Sequence, residues 1–166
     1  MEIEMRDVIQ SDSGLILAWR NSELSIKYSK SGSSISANEH EIWFLNRICQ
    51  NRSEPYLMIS QSNSQIGAIR FDNLEASSPY FIVSIIVNPA LTRQGYGTKI
   101  LQLGCKYMYE EFGTVRICAE IHKDNVASLK LFMKNNFQVI GNNSDFIMLE
   151  YSHEQEVFNN QGVISE

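Results

Sequence analysis

The stretch that decides the fold covers residues 81–112 and reads FIVSIIVNPALTRQGYGTKILQLGCKYMYEEF. Its first half is a nearly continuous apolar and β-branched run that ends at Pro89, which is typical of a strand buried on both faces. In its second half, apolar residues recur at helical spacing from Ile100 to Phe112. The sequence therefore predicts a central strand that leads, through a glycine-containing turn, into the N-terminus of a helix.

The turn at residues 92–98 reads TRQGYGT and is a candidate anion site. The first N–H groups of a helix lack internal acceptors, the helix dipole is positive there, and glycines let a phosphate approach the backbone. Two glycines in a turn are a weak signal by themselves, because glycine before a helix more often only relieves backbone strain. Other parts of the sequence are needed to distinguish an anion site from a turn in which the glycines only relieve strain.

Composition limits the class of protein. The chain has 166 residues, of which 43% are hydrophobic and 20% are charged, as in a single globular domain with a sizeable core. The net charge of −5 argues against broad nucleic-acid binding, yet a few local arginines or lysines can still hold an anionic small molecule. No run approaches membrane-spanning length and residues 1–10 do not resemble a signal peptide, so we expect a cytoplasmic protein without a membrane partner.

Cysteine usage points to a reducing compartment. Cys49, Cys105 and Cys118 are odd in number, far apart and set among apolar residues. This pattern predicts three buried free thiols rather than a disulfide or a metal site.

Periodicity predicts one strand, two or three helices and a β-hairpin before the central stretch, and a strand, a helix and a second hairpin after it. Ser11 or Asp12 can cap the first helix, and Ser36 with Glu39 forms a capping box for another. The last helix is predicted to bury one face. The residues of that face are Val126, Leu129, Phe132 and Met133. We predict one domain at residues 1–152 and a frayed polar tail at residues 153–166.

The phrase V-N-P-x-x-x-R-Q-G-Y-G-T-K-I-L resembles the acyl-CoA-binding segment of the GNAT superfamily of N-acetyltransferases. The family's usual Gln or Arg position is occupied by Thr92, with Arg93 directly after it. A second motif of the family is also present, with Asn in place of its glycine. Its residues here are Asn125, Ser128, Lys134, Asn136 and Phe137. The resemblance implies an α/β (α+β) fold with a mixed, mostly antiparallel sheet of about seven strands flanked by helices.

The resemblance further implies an enzyme that uses acetyl-CoA, with the turn's main-chain amides holding the coenzyme A pyrophosphate. The main-chain N–H of Val87 would bond the thioester carbonyl and so act in catalysis. The coenzyme contacts implied in this way are Ile86, Val87, Gln94, Gly95, Tyr96, Gly97, Thr98, Asn125 and Ser128.

The general base is less clear from the sequence. Many relatives carry a glutamate on the central strand and a tyrosine on the later helix, and their counterparts here are Ile82 and Phe132. The remaining candidates are Glu120, His122, His40 and Tyr28. We favour Glu120, because it lies beside the expected acetyl site, although an exposed carboxylate and an exposed loop histidine are fair alternatives for Glu120 and His122. A weak base would suffice for an amine whose pKa is near 8, since such an amine is already partly neutral.

The segments AWRNSEL, ISANEHEIWF and IGAIRF resemble the subgroup that acts on nucleotide-linked amino sugars of the pseudaminic-acid type. The acceptor contacts that this implies are Arg20, Asn21, His40 and Arg70, with Tyr28 and Trp43 as stacking or wall residues. Simpler interpretations remain open: Arg20 complements its own helix dipole, Trp43 packs in the core, and His40 and Arg70 face solvent. A protein N-terminal acetyltransferase and a non-catalytic acyl-CoA-binding module are the competing functions, and a homodimer stays open.

Overall fold

The computed structural model describes residues 3–50, 52–74 and 78–152, which form one sheet flanked by helices. The strands are β1 Ile3–Asp7, β2 Tyr56–Gln61, β3 Ser64–Asn73, β4 Tyr80–Val87, β5 Arg116–His122, β6 Phe137–Asn142 and β7 Phe146–Tyr151. The α-helices are α1 Ser13–Arg20, α2 Glu23–Lys27, α3 Ala37–Ile48, α4 Tyr96–Phe112 and α5 Val126–Lys134. The predicted tail at residues 153–166 lies outside the described residues. No helix within the described ranges is long and apolar enough to cross a membrane.

The seven strands lie in the order β1-β2-β3-β4-β5-β7-β6, and only β4 and β5 pair in parallel. This mixed, mostly antiparallel sheet confirms the predicted fold class. Side chains alternate between its faces, so each face has its own apolar layer. One layer lies between the sheet and α4 and includes Ile100 and Ile117. The other lies between the sheet and helices α1 and α3 and includes Trp19 and Phe44.

Strands β4 and β5 separate part of the way along their length. Their register ends at the pair Ile82 and Cys118, although β4 continues to Val87 and β5 to His122. The prediction that β4 is buried on both faces is therefore wrong for its second half, where residues 84–87 are only partly buried. The neighbouring strand has diverged there, which leaves a gap beside the end of the central strand.

Several local predictions are confirmed. The Ser36 hydroxyl accepts a hydrogen bond from the Glu39 N–H at 3.3 Å, and the Glu39 carboxylate accepts one from the Ser36 N–H at 3.1 Å, which completes the capping box of α3. Ser62 and Asn63 form the two-residue hairpin turn, with φ angles of 51° and 63°. Asn136 replaces the family's glycine and takes the left-handed conformation, at φ 64°.

The predicted burial was wrong for three side chains. Cys49 is exposed, whereas Cys105 and Cys118 are buried as predicted. Burial raises the pKa of the Cys105 thiol to about 12, which keeps it protonated. On α5, Val126 and Met133 are exposed. The apolar face of this helix is wider than the part of it that the rest of the protein covers.

Candidate active site

The turn after β4 is held in place by a side chain at the strand's end. Asn88 Oδ1 accepts a hydrogen bond from the Ala90 N–H at 3.0 Å, and Asn88 Nδ2 donates to the Gln65 carbonyl at 3.1 Å. Arg93 and Gly95 then take positive φ angles of 63° and 81°, which turn the chain into α4. The Gly95 N-cap supplies no side-chain hydrogen bond to the first turn of this 17-residue helix. The first N–H groups of α4 are thus suited to an anionic ligand.

The two glycines of the turn serve different purposes. Gly95 has open space around it but has a positive φ angle, which residues with a side chain rarely adopt. At Gly97, a Cβ atom would lie 3.1 Å from Leu131 Cδ2 on α5 and 3.6 Å from Val87 Cγ2. Gly97 therefore lets the N-terminus of α4 lie close to both α5 and the end of β4. Gln94 is exposed and Thr98 is partly buried beside it.

The direction of the β4 main chain follows from its pairing with β3. The Asn88 N–H donates to the Ile66 carbonyl at 2.9 Å, and the Tyr80 carbonyl accepts from the Leu74 N–H at 3.3 Å. Even-numbered residues of β4 therefore direct their main-chain groups towards β3, and odd-numbered residues direct theirs towards β5. Three odd-numbered residues follow the last β5 pair at Ile82. Val83 is next to that pair and takes part in its hydrogen bonding, which leaves Ile85 and Val87.

The N–H of Val87 thus points into the gap, where it can donate a hydrogen bond to a carbonyl oxygen of a ligand. Ile86 does not, because its main-chain groups face Ala68 of β3 and its side chain packs in the α1–α3 layer. Ile86 stays a predicted coenzyme contact. Sequence reasoning missed Ile85, whose N–H also faces the gap. Strand alternation could have indicated Ile85, because the main-chain groups of residues two apart point to the same side of a strand.

Glu120 lies on the diverging part of β5. It comes two residues after Cys118, so a continued register would place it level with Ser84, one residue from Ile85. Its neighbours Ala119 and Ile121 belong to the α4 layer, so the Glu120 side chain lies on the α1–α3 face. Its carboxylate forms an ion pair with Lys30 from the loop between α2 and α3.

Three aromatic rings pack in a row near Lys30, the partner of this carboxylate. The Tyr28 and His122 ring centroids are 5.9 Å apart, and those of His122 and Phe146 are 5.3 Å apart. His122 Nδ1 accepts a hydrogen bond from the Asp124 N–H at 3.2 Å. A neutral His122 therefore carries its proton on Nε2, so that nitrogen can donate but cannot act as a base. This geometry favours Glu120 over His122 as the proton acceptor.

A cleft of about 170 Å³ opens on the same face of the sheet. The guanidinium carbon atoms of Arg20 and Arg70 lie 5.4 Å and 5.1 Å from the ring centre of Trp43, so one indole contacts two cations. Burial and the nearby charge of Arg70 lower the pKa of Arg20. The residues that line this acceptor cleft are Arg20, Ile35, Glu39, His40, Trp43 and Arg70.

His40 is buried in the wall of the acceptor cleft, with 2% of its surface exposed. Its Nε2 lies 3.1 Å from the Ser13 carbonyl, which can only accept, so Nε2 carries a proton. Burial lowers the pKa of His40, and the charge of Arg20 lowers it further, so the ring is neutral and Nδ1 is a free acceptor. His40 Nδ1 is buried without a hydrogen-bond partner among the described residues. This nitrogen can therefore accept a hydrogen bond from a ligand.

Two other predicted positions have structural contacts. Asn21 does not line the acceptor cleft: its Nδ2 donates to the Ile35 carbonyl and its Oδ1 accepts from the Ile35 N–H, both at 2.8 Å. Phe132 is buried, and its ring centroid is 4.9 Å from that of Phe137. Sequence reasoning missed Arg47, which is buried and donates to Asp72 Oδ1 at 3.1 Å. No sequence signal marks it, because its partner lies on another element.

The chain belongs to the GNAT acetyltransferase family, because residues 2–138 match the model described as the acetyltransferase (GNAT) domain. It is accordingly an N-acetyltransferase, as the turn and the order of elements indicated. A curated relative is acetyltransferase PseH from Campylobacter jejuni subsp. jejuni serotype O:23/36 (strain 81-176), which is 30% identical over 132 residues and 80% of each chain.

Solved structures confirm the fold. The Campylobacter jejuni N-acetyltransferase PseH in complex with acetyl coenzyme A has a TM-score of 0.70 and 22% identity, over 92% of this chain and 99% of that one. The putative acetyltransferase yncA from Salmonella typhimurium, with its cofactor acetyl-CoA, has a TM-score of 0.72 and 18% identity, over 90% of this chain and 93% of that one.

Proposed function

We propose that this protein transfers an acetyl group from acetyl-CoA to the amine of a nucleotide-linked amino sugar. The observation that carries the proposal is the pair of guanidinium groups, from Arg20 and Arg70, around Trp43 in the acceptor cleft. Two cations suit a diphosphate, and the neighbouring indole can stack on a planar base. The 30% identity to PseH is the second support.

The coenzyme would bind on the side of the gap that the turn before α4 forms. Acetyl-CoA supplies the acetyl group as an activated thioester. The N–H groups at residues 94–98 would hold its diphosphate, and Arg93 would add a positive charge. Val87 remains the predicted donor to the thioester carbonyl, and Ile85 is a second donor nearer the closed end of the gap. Asn125 and Ser128, which cap α5 through a 3.2 Å hydrogen bond, remain predicted contacts.

Glu120 is the proposed general base, because it lies on the diverging part of β5 with its side chain on the α1–α3 face, and a continued register would place it level with Ser84, one residue from Ile85. Tyr28, which packs against His122, is a second candidate for proton transfer. His40 Nδ1 would accept a hydrogen bond from a hydroxyl or an N–H of the acceptor. A sugar amine with a pKa near 8 is already partly neutral, so one weak base is enough.

Mass spectrometry of an amine panel tests this proposal. The panel contains nucleotide-linked amino sugars, the same sugars without the nucleotide, and peptides with free N-termini, each incubated with acetyl-CoA. We expect the nucleotide-linked sugar to be acetylated fastest. Glu120→Gln should lower its turnover about 10²–10⁴-fold while coenzyme affinity is kept. Preferred acetylation of a peptide, or bound coenzyme with no turnover of any amine, would overturn the proposal.

A further inference from the structure

The loop between α2 and α3 places a primary amine on the acceptor face of the gap. Lys30 Nζ pairs directly with the Glu120 carboxylate and lies 5.7 Å from the ring centre of Phe146. The Lys30 side chain is 68% exposed and that of Glu120 is 24% exposed, so the pair lies at the mouth of the gap.

A carboxylate acts as a base only for a proton within hydrogen-bond reach. The Lys30 ammonium meets this condition at Glu120, which is the position that an acceptor amine has to occupy. Two nearby lysines have other partners. Lys27 Nζ lies 5.2 Å from the Tyr28 ring centre, and Lys123 Nζ donates to the Ser144 carbonyl at 2.6 Å.

We propose that Lys30 is an internal acetyl acceptor, which the enzyme modifies when no small amine occupies the acceptor cleft. This inference rests on the proposed function. Glu120 takes one proton from the Lys30 ammonium, the freed Nζ forms a bond to the acetyl carbonyl carbon, and the carbon–sulfur bond of the thioester breaks. The second nitrogen proton goes to the leaving thiolate. The products are Nε-acetyl-Lys30 and coenzyme A, and Glu120 returns its proton to water.

The loop backbone is anchored at both ends of the segment that carries Lys30, whereas the Lys30 side chain is largely exposed. Asn21 holds the far end of the loop at Ile35, and the Gly32 N–H donates to the Ser29 hydroxyl at 3.0 Å. Acetylation would remove the charge of Lys30 and break its pair with Glu120. The modified loop would then leave the carboxylate open to an incoming amine.

Peptide mapping by mass spectrometry tests this proposal on the full chain, incubated with acetyl-CoA and no acceptor. We expect Lys30 to be acetylated faster than Lys27 and Lys123, at a rate constant that is independent of protein concentration. Glu120→Gln should lower the Lys30 rate about tenfold or more and leave the other two lysines at the background chemical rate. Lys30→Arg, which keeps the positive charge, should remove the label. Equal labelling of the three lysines, or a Lys30 rate that does not depend on Glu120, would overturn the proposal.

A second measurement needs no coenzyme. In ¹⁵N-lysine NMR spectra, the Lys30 ammonium signal, assigned by its loss in Lys30→Arg, should shift in Glu120→Gln. An unchanged signal would show that the pair does not form in solution. If the nucleotide-linked sugar is acetylated and Lys30 is not, only this inference fails. If neither is acetylated, the proposed function fails as well.

Discussion

At the scale of single residues, the acceptor cleft depends on positive charges that are close together. Arg20 ends α1 and so complements that helix's dipole, but it also contacts the Trp43 ring beside Arg70. Asp72 balances part of this charge, with its Oδ2 2.9 Å from Arg70 Nε. Partial burial lowers the pKa of Arg20, and repulsion from the Arg70 cation lowers it further. A bound anion would relieve that repulsion.

Arg20→Ala should therefore weaken acceptor binding and spare the coenzyme. A charged hydrogen bond contributes about 1.5–3 kcal/mol, so we expect the KM for a nucleotide-linked acceptor to rise about 10–100-fold. The KM for acetyl-CoA should stay unchanged in steady-state kinetics. Arg116→Ala removes an exposed arginine from the paired end of β5 and should change neither value. An equal rise for both substrates would point to a folding defect instead.

At the scale of elements, the junction of β1 and α1 orients the helix that carries Arg20. Asp12 was predicted as a possible cap of α1, but its carboxylate bonds to residues that precede it in the chain. It accepts hydrogen bonds from Arg6 at 2.7 Å and 2.9 Å and from the Ile9 N–H at 2.9 Å. The buried carboxylate thus fastens the strand end to the start of α1.

Asp12→Asn should reduce stability in a pH-dependent way. Burial alone would raise the pKa of Asp12, but the hydrogen bonds from Arg6 and Ile9 outweigh it and lower that pKa. The stabilisation is therefore complete above the unfolded-state pKa of about 3.9 and is lost as the pH falls through the lower folded-state value. By urea unfolding, the variant should be about 1 kcal/mol less stable near pH 7, because Arg6 is partly exposed, and the difference should shrink below about pH 4. Asp7→Asn, at an exposed carboxylate, is the control; a difference that stays constant with pH would contradict this account.

At the scale of the whole molecule, the divergence of β4 and β5 would let the two proposed ligands meet. The turn before α4 opens at one end of the gap, and the acceptor cleft opens on the α1–α3 face. Their meeting point is the half of β4 that has lost its parallel neighbour. A ligand that bridges this gap should stabilise the entire sheet.

Coenzyme A should accordingly raise the melting temperature. At a concentration of 100 times Kd the stabilisation is about 2.7 kcal/mol. In a domain of this size, that corresponds to about 5–10 °C in differential scanning fluorimetry. Gly97→Val should remove the effect, because its side chain would crowd Leu131 and block the turn. Gly141→Ala, at a site with nothing within 4 Å of the added Cβ, should keep it. An undiminished rise in Gly97→Val would place the coenzyme elsewhere.

The sequence by itself determined the features that depend on near neighbours. Apolar periodicity located the strands and helices, Ser36 and Glu39 marked a helix start, and the turn at residues 92–98 indicated the family. These predictions held because hydrogen-bonded caps, turns and side-chain alternation are set within a few residues of one another. The burial of Val126 was wrong because periodicity alone does not show how wide a helix stripe the sheet covers.

Only the tertiary structure decided which groups face the gap and the cleft. The point where β4 leaves β5 decides that the N–H groups of Ile85 and Val87 face the gap, and that point depends on pairing with a strand more than 30 positions away. The burial of His40 depends on α1, and the pair of Lys30 with Glu120 joins residues 90 positions apart. Contacts of this range are set by how the elements pack together, so no local pattern in the sequence records them.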